Sequence, residues 1–168
     1  MQLTHYTSKF NQKSFPIILV CDNVTNAPNI GSLFRTADAF GIDKIIFCGS
    51  PIPLGRKMTK TSRATEKYVN YENQEDTLDT LNTLKNAGYQ IVVLEITSNS
   101  TPIDNMKFEV NQPIALLVGD ENFGISDACL ELSDHITHIE MFGQNSSMNV
   151  AQATSIALYE ITRQMHGA

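Results

Sequence analysis

Four segments of this chain are apolar almost from end to end: PIILVC (16–21), DKIIFC (43–48), QIVVLEI (90–96) and PIALLVG (113–119). A strand with one wet face alternates apolar and polar residues. A strand with no alternation must be covered on both faces, which is the habit of parallel sheets. Helical spacing fills the gaps between these runs. Ile30, Leu33, Phe34, Ala37 and Phe40 recur at three and four residues, as one face of a helix requires. The order of elements therefore predicts an α/β fold, a mainly parallel sheet with helices on both faces.

The remaining elements follow the same reading. Gly41 ends the first helix and Gly88 follows the helix predicted over 74–86. A short helix is expected within TKTSRATEKY (59–68), a short strand over 68–71, a helix at ISDACLEL (125–132) and a strand at HITHIEM (135–141). Residues 98–112 read as irregular. In open α/β sheets, ligands bind beyond the carboxyl ends of the strands. Three loops take that place here: 22–29, 119–124 and 141–147.

The chain has 168 residues, enough for one sizeable core, and is expected to be a single domain over 1–168 with no appended RNA-binding domain. No apolar run approaches the roughly 20 residues of a membrane helix. The amino-terminal MQLTHYTSKFNQKSF lacks the apolar centre of a secretory signal. Cys21, Cys48 and Cys129 are far apart and odd in number, which fits a reducing, cytoplasmic setting and neither a disulfide framework nor a zinc site. His135 and His138 stand three apart on a predicted strand, hence on opposite faces, and no metal is expected. Net charge is −6, which argues against broad binding of nucleic acid. Its distribution qualifies that. Arg56, Lys57, Lys60, Arg63 and Lys67 face one acid, Glu66, giving this window +4 and leaving −10 elsewhere. Such a segment is either a solvated face or a local grip on a polyanion.

The loops carry the candidate chemistry. In NIGSLFRTADAFG (29–41), Asn29 is a good helix N-cap. Arg35 lies off the apolar stripe, one turn after Gly31, where a planar guanidinium suits a phosphate. In LLVGDENFGIS (116–126), two glycines allow close backbone approach, and Glu121 can accept hydrogen bonds from a ribose or an amide. The phosphate-loop pattern is absent, and the acids there would repel phosphate. In MFGQNSSMNVAQATSIALYEITR (141–163), an uncharged polar turn precedes a small-residue helix. Ser147 is a credible cap for it. Ala151, Ala153, Ser155 and Ala157 allow close approach to another backbone, in the core or across a self-association face.

Taken in order, N-x-G-x-x-x-R-T-A-D-A-F-G, G-[ND]-E-x-x-G and S-[LM]-N-V resemble the motifs of the SPOUT-class RNA methyltransferases, closest to the TrmH-like (SpoU) 2′-O-ribose branch. The resemblance runs from about Ile17 to Gln164. It implies a carboxy-terminal trefoil knot, an exception to the general absence of knots. It also implies S-adenosylmethionine as cofactor, held by Leu117, Val118, Gly119, Glu121, Gly124, Ile139, Met141, Ser147, Met148 and Asn149. Catalytic positions fall on Asn29, Arg35, Glu121, Ser147 and Asn149. A homodimer through the last helix is implied as well. Two departures are mild: Asp120 stands where Asn is usual, and Met148 where Leu is commoner.

The expected function is therefore methylation of an RNA ribose 2′-oxygen, on tRNA in preference to rRNA, with Arg35, Arg56, Lys57, Lys60 and Arg63 contacting RNA. An arginine stays protonated, so Arg35 is expected to stabilise developing alkoxide charge and hold a phosphate rather than act as base. Two other readings compete. One is a catalytically silent RNA-binding member of the same fold. The other is a dinucleotide-dependent oxidoreductase, which lacks the glycine fingerprint after its first strand.

Overall fold

A computed structural model describes residues 1–4 and 6–168; His5, inside the amino-terminal stretch considered above as a signal, lies outside the described residues. The strands are β1 (Phe15–Asp22), β2 (Ile42–Cys48), β3 (Asn70–Gln74), β4 (Gln90–Leu94), β5 (Thr101–Pro102), β6 (Ile114–Gly119) and β7 (His135–His138). The helices are α1 (Ala27–Phe40), α2 (Arg56–Ser62), α3 (Thr77–Asn86), α4 (Asp127–Leu132) and α5 (Val150–His166). The strands form one seven-stranded sheet in the order β3-β2-β1-β6-β4-β7-β5. Every pairing in it is parallel.

The uninterrupted apolar runs have the cause inferred from them. Alternate residues of β1 serve two cores. Ile17, Leu19 and Cys21 enter one with Leu33 and Phe34 of α1, Met58 of α2 and Leu158 of α5. Ile18 and Val20 enter the other with Leu81 of α3 and Cys129 of α4. Helices therefore cover both faces. Each fully buried aliphatic side chain contributes about 1.5–3 kcal/mol of transfer free energy.

Several boundaries differ from expectation. The first helix begins at Ala27, with Asn26 as its cap: the Asn26 side chain accepts from the Asn29 amide, 3.1 Å. Asn29 is therefore inside the first turn and its side chain is free for other work. Pro28, fitted to a first helical turn, was the available signal. Gly41 does end α1, in a left-handed conformation, with its N–H on the carbonyls of Ala37 and Asp38. The basic segment becomes helical at Arg56, three residues earlier than predicted, and ends where Arg63 and Ala64 both have positive φ. The strand expected at 68–71 lies at Asn70–Gln74, a polar edge strand with no apolar run to mark it. The helix expected from 74 begins at Thr77, capped by Asp76. Within the region read as irregular, Thr101–Pro102 pairs with β7. The last helix is capped by Asn149, not Ser147.

Candidate active site

Beyond the carboxyl ends of β4, β6 and β7 lies a cleft of about 420 Å³, inside the roughly 300–1,000 Å³ range of small-molecule sites. Its walls combine apolar side chains with a polar rim. Leu94, Ile96, Ile139, Met141, Met148 and Val150 supply the former. Glu95, Asp120, Glu121, His138, Ser146 and Ser147 supply the latter. The parallel ladders fix where these strands end. The backbone of Glu95 continues the pattern by donating to Thr137 O, 2.9 Å.

The loop after β6 is tied to its surroundings at several points. Asp120 N donates to Asp22 O and Gly124 N to Asp120 O. Gly124 has φ +65°, a conformation side chains disfavour, and it faces the carboxylate of Glu95. Glu121 accepts from Val150 N, 3.0 Å. That places a carboxylate on the amino terminus of α5, where the helix dipole favours negative charge. Asn149 accepts from Ala151 N and Gln152 N at 3.0 and 3.2 Å. Its amide N–H donates to Asn29 Oδ1 at 2.9 Å. Residues 120 apart in sequence, from the first and third motifs, are thereby joined.

Of the residues expected to hold a cofactor, Gly119, Glu121, Gly124, Ile139, Met141, Ser147 and Met148 line the cleft. Leu117 and Val118 do not: their side chains are buried within the two cores. Asn149 faces Asn29 and α5 instead of the cleft. The reading from sequence missed Leu94, Glu95 and Ile96. They close the gap because β4 sits between β6 and β7, an order that local periodicity does not encode. Ser147, with its N–H on Asn145 Oδ1, belongs to an exposed turn at the rim.

A second, more open hollow of about 510 Å³ lies between α1, α2 and α5. Arg35, Lys60 and Arg63 converge there with Ser32, Thr36, Thr61 and Ser155. Arg56 and Lys57 are exposed but stand outside its wall. The close contact of α1 and α2 depends on Gly31, where a Cβ would overlap the Met58 carbonyl and the Thr61 hydroxyl. The space beside Gly31 is thus filled by α2. Thr36 and Ser155 share a hydrogen bond of 3.0 Å that ties α1 to α5. Arg35 is exposed and opens on this hollow, not on the cleft.

The other reactive side chains are engaged elsewhere. Burial pushes the thiols of Cys21, Cys48 and Cys129 up, so none is a ready nucleophile at neutral pH. His138 Nδ1 is hydrogen-bonded to Ser100 Oγ, 2.9 Å, and His135 packs edge-on to Phe108. Among the described residues no group of three or more His, Cys, Asp and Glu is arranged to hold a metal. Among them, too, no helix is long and apolar enough to cross a membrane.

Residues 16–159 match the model of the SpoU rRNA Methylase family. The tRNA (guanosine(18)-2′-O)-methyltransferase of Escherichia coli K12 is 30% identical over 156 residues, covering 91% of this chain and 66% of that protein. Among solved structures, the A. aeolicus TrmH/SpoU tRNA modifying enzyme is 29% identical with a TM-score of 0.83, over 93% of this chain and 78% of that one. The SpoU methyltransferase AviRb from Streptomyces viridochromogenes, in complex with the cofactor AdoMet, is 27% identical with a TM-score of 0.77, over 94% and 63%. The chain spans 61% and 66% of the length of two of the curated relatives it matches.

Proposed function

The chain belongs to the SpoU methylase family, and on that premise we propose that it is an S-adenosylmethionine-dependent RNA ribose-2′-O-methyltransferase acting on tRNA. The observation that carries this reading is the Asn29–Asn149 bond. It couples the motif that bears Arg35 to the loop that walls the cleft. The E. coli and A. aeolicus relatives, named for action on tRNA, favour that substrate over rRNA.

The cleft fits the cofactor on its own chemistry. Apolar walls suit an adenine, polar groups at the rim suit its ribose and amino-acid ends, and no Lys or Arg lines it to repel a sulfonium. Leu94, Ile96, Ile139, Met141 and Met148 would pack on the base. Glu121 and Ser147 would face the hydroxyl-bearing edges. When bound, the cofactor supplies an electrophilic methyl group. The chain's own task is then to align a ribose oxygen with it. Arg35, Lys60 and Arg63 hold the neighbouring phosphates, Arg35 also offsets charge developing on the 2′-oxygen, and a phosphate oxygen takes the proton. Asn29 and Asn149 set the spacing of cleft and hollow, and Arg56 and Lys57 extend the RNA-binding face. Because Arg35 opens on the hollow, its part in the reaction depends on RNA spanning both regions.

The wider assignments rest on the same reading. The chain acts as one catalytic domain over residues 1–168, in the cytoplasm. After β7 it returns past the β6 loop, where Glu121 holds the Val150 amide; that passage supports the trefoil knot. Ile156 and Tyr159, exposed on α5 at 40% and 61%, support a homodimer through that helix. Incubation with methyl-labelled S-adenosylmethionine, total tRNA and rRNA, followed by mapping of the modified ribose, tests the proposal. Label on a tRNA 2′-oxygen is expected. Label on rRNA alone would overturn the substrate, and cofactor binding with no transfer to either would favour a silent RNA-binding protein.

A further inference from the structure

The cleft is lined by three carboxylates, Glu95, Asp120 and Glu121, and by no Lys or Arg. They are not equivalent. Glu121 is spent on the amino terminus of α5, through Val150 N, so the helix end offsets its charge. Glu95 has no such counterpart. One of its oxygens accepts from the Ile96 amide, 2.9 Å. The other, Oε2, stands 3.4 Å from the position a Cβ would take on Gly124, facing the loop that walls the cleft. Asp120 Oδ1 accepts from Asn122 N. Neither carboxylate has an ion-pair partner among the described residues.

We infer that Glu95 and Asp120 make the cleft a charge filter, holding the sulfonium donor more tightly than the neutral thioether left after transfer. The inference rests on the cofactor reading above and names the residues that would set its specificity. During transfer the S–CH₃ bond breaks as the O–CH₃ bond forms. The sulfur keeps the electron pair and loses its charge, while the hydroxyl proton leaves to the RNA phosphate. Donor and product share their adenosine and amino-acid ends. They differ in one methyl and one positive charge, so whatever the uncompensated carboxylates contribute to the shared amino-acid and ribose ends cancels in the comparison, and their pull on the sulfonium remains. The consequence is functional: the product is held less tightly than the donor, and donor replaces it without a large excess.

The test is calorimetry on the full chain with S-adenosylmethionine, S-adenosylhomocysteine and an analogue bearing a protonated amine in place of the sulfonium. The wild type is expected to prefer both cationic ligands. Glu95→Gln and Asp120→Asn should each shrink the donor-to-product affinity ratio by roughly three- to tenfold, the size of a partly screened unit-charge interaction. Product affinity should fall by less than donor affinity, because the product lacks the sulfonium charge. Added salt should weaken donor binding more than product binding. Glu131→Gln, on the exposed part of α4, serves as the control and should leave the ratio alone. Both test substitutions are close in shape to the native residue, and thermal melting confirms folding. Donor binding with an unaltered ratio in both variants would overturn the filter while leaving the cofactor reading intact, as would equal losses for donor and product. Failure of the wild type to bind any of the three ligands would overturn the cofactor reading itself.

Discussion

The cleft and the hollow flank the first turns of the same helix, α5, yet their linings are opposite in sign. The cleft has three carboxylates and no Lys or Arg; the hollow has Arg35, Lys60 and Arg63 and no Asp or Glu. Their construction differs too. Strand ends locked in parallel ladders build the cleft, whereas the hollow lies between helices and holds long, exposed cationic side chains. A small cation needs a shaped cup, and a polyanion needs charge that adjusts to its path. Arg stems keep that adaptability while their forks stay ready for phosphate. The contrast removes the objection that a net charge of −6 poses to the proposed RNA substrate: Arg35, Lys60 and Arg63 converge on one hollow that holds no acid, apart from the carboxylates of the cleft.

The largest effect expected from breaking this division is at Arg35. Arg35→Ala should lower methyl transfer by about 100-fold or more, the usual consequence of removing a group that stabilises transition-state charge. Calorimetry should find cofactor affinity unchanged, and a parallel loss of affinity would show that the two regions are not separable. Arg35→Lys keeps the charge and loses the fork; near-normal turnover would sink the bidentate role.

Gly31→Ala attacks the hollow through its frame. The new methyl has no space against the Met58 carbonyl, so a loss of about 2–3 kcal/mol is expected in urea denaturation, as for overpacked cores. RNA affinity should then fall more than cofactor affinity, because α2 carries Lys60 and its end carries Arg63. The joint between the regions comes next. Asn149→Ala removes the cap of α5 and should cost about 1–2 kcal/mol. Asn29→Ala leaves that cap and should cost about 1 kcal/mol. The double variant should lose less than the sum, since both remove one shared bond.

Smaller effects sharpen the contrast. Lys60→Gln should weaken RNA binding and reduce the slope of log affinity against log salt by about one. Lys57→Gln, outside the hollow, should do less, and neither should alter cofactor affinity. Ala64 has φ +67° directly after Arg63 at +56°. Ala64→Gly should raise stability by roughly 0.5 kcal/mol, relief of left-handed strain exceeding the added freedom of the unfolded chain.

The parts of this architecture that were legible in the sequence were those with a local cause. The doubly buried β1 and β6 announced themselves by their lack of alternation, and Gly41 by its place after a periodic helix. β3, a polar edge strand, lacks any such pattern. Caps were harder. Asn26, Asn29, Ser147 and Asn149 are all competent cap residues, and the choice among them depends on what each meets in space. Asn29 escaped capping because Asn26 took it, and Ser147 because Asn149 did. The cleft was half legible. Its loops after β6 and β7 carry motifs, but Glu95 and Ile96 carry none. They enter the wall only because β4 lies between β6 and β7, and strand order is a long-range property.

The pairing of Asn29 with Asn149 has a direction. Two N–H groups of α5 point at the Asn149 side chain, so its oxygen must face the helix and its nitrogen must face away. That nitrogen meets Asn29, whose oxygen must therefore turn toward it. The orientation of one amide dictates the next, and neither can flip without leaving donors facing donors. The free end of the relay is the Asn29 NH₂ group, which has no other hydrogen bond among the described residues. The start of a helix thus fixes, two side chains away, that the first motif presents a donor rather than an acceptor.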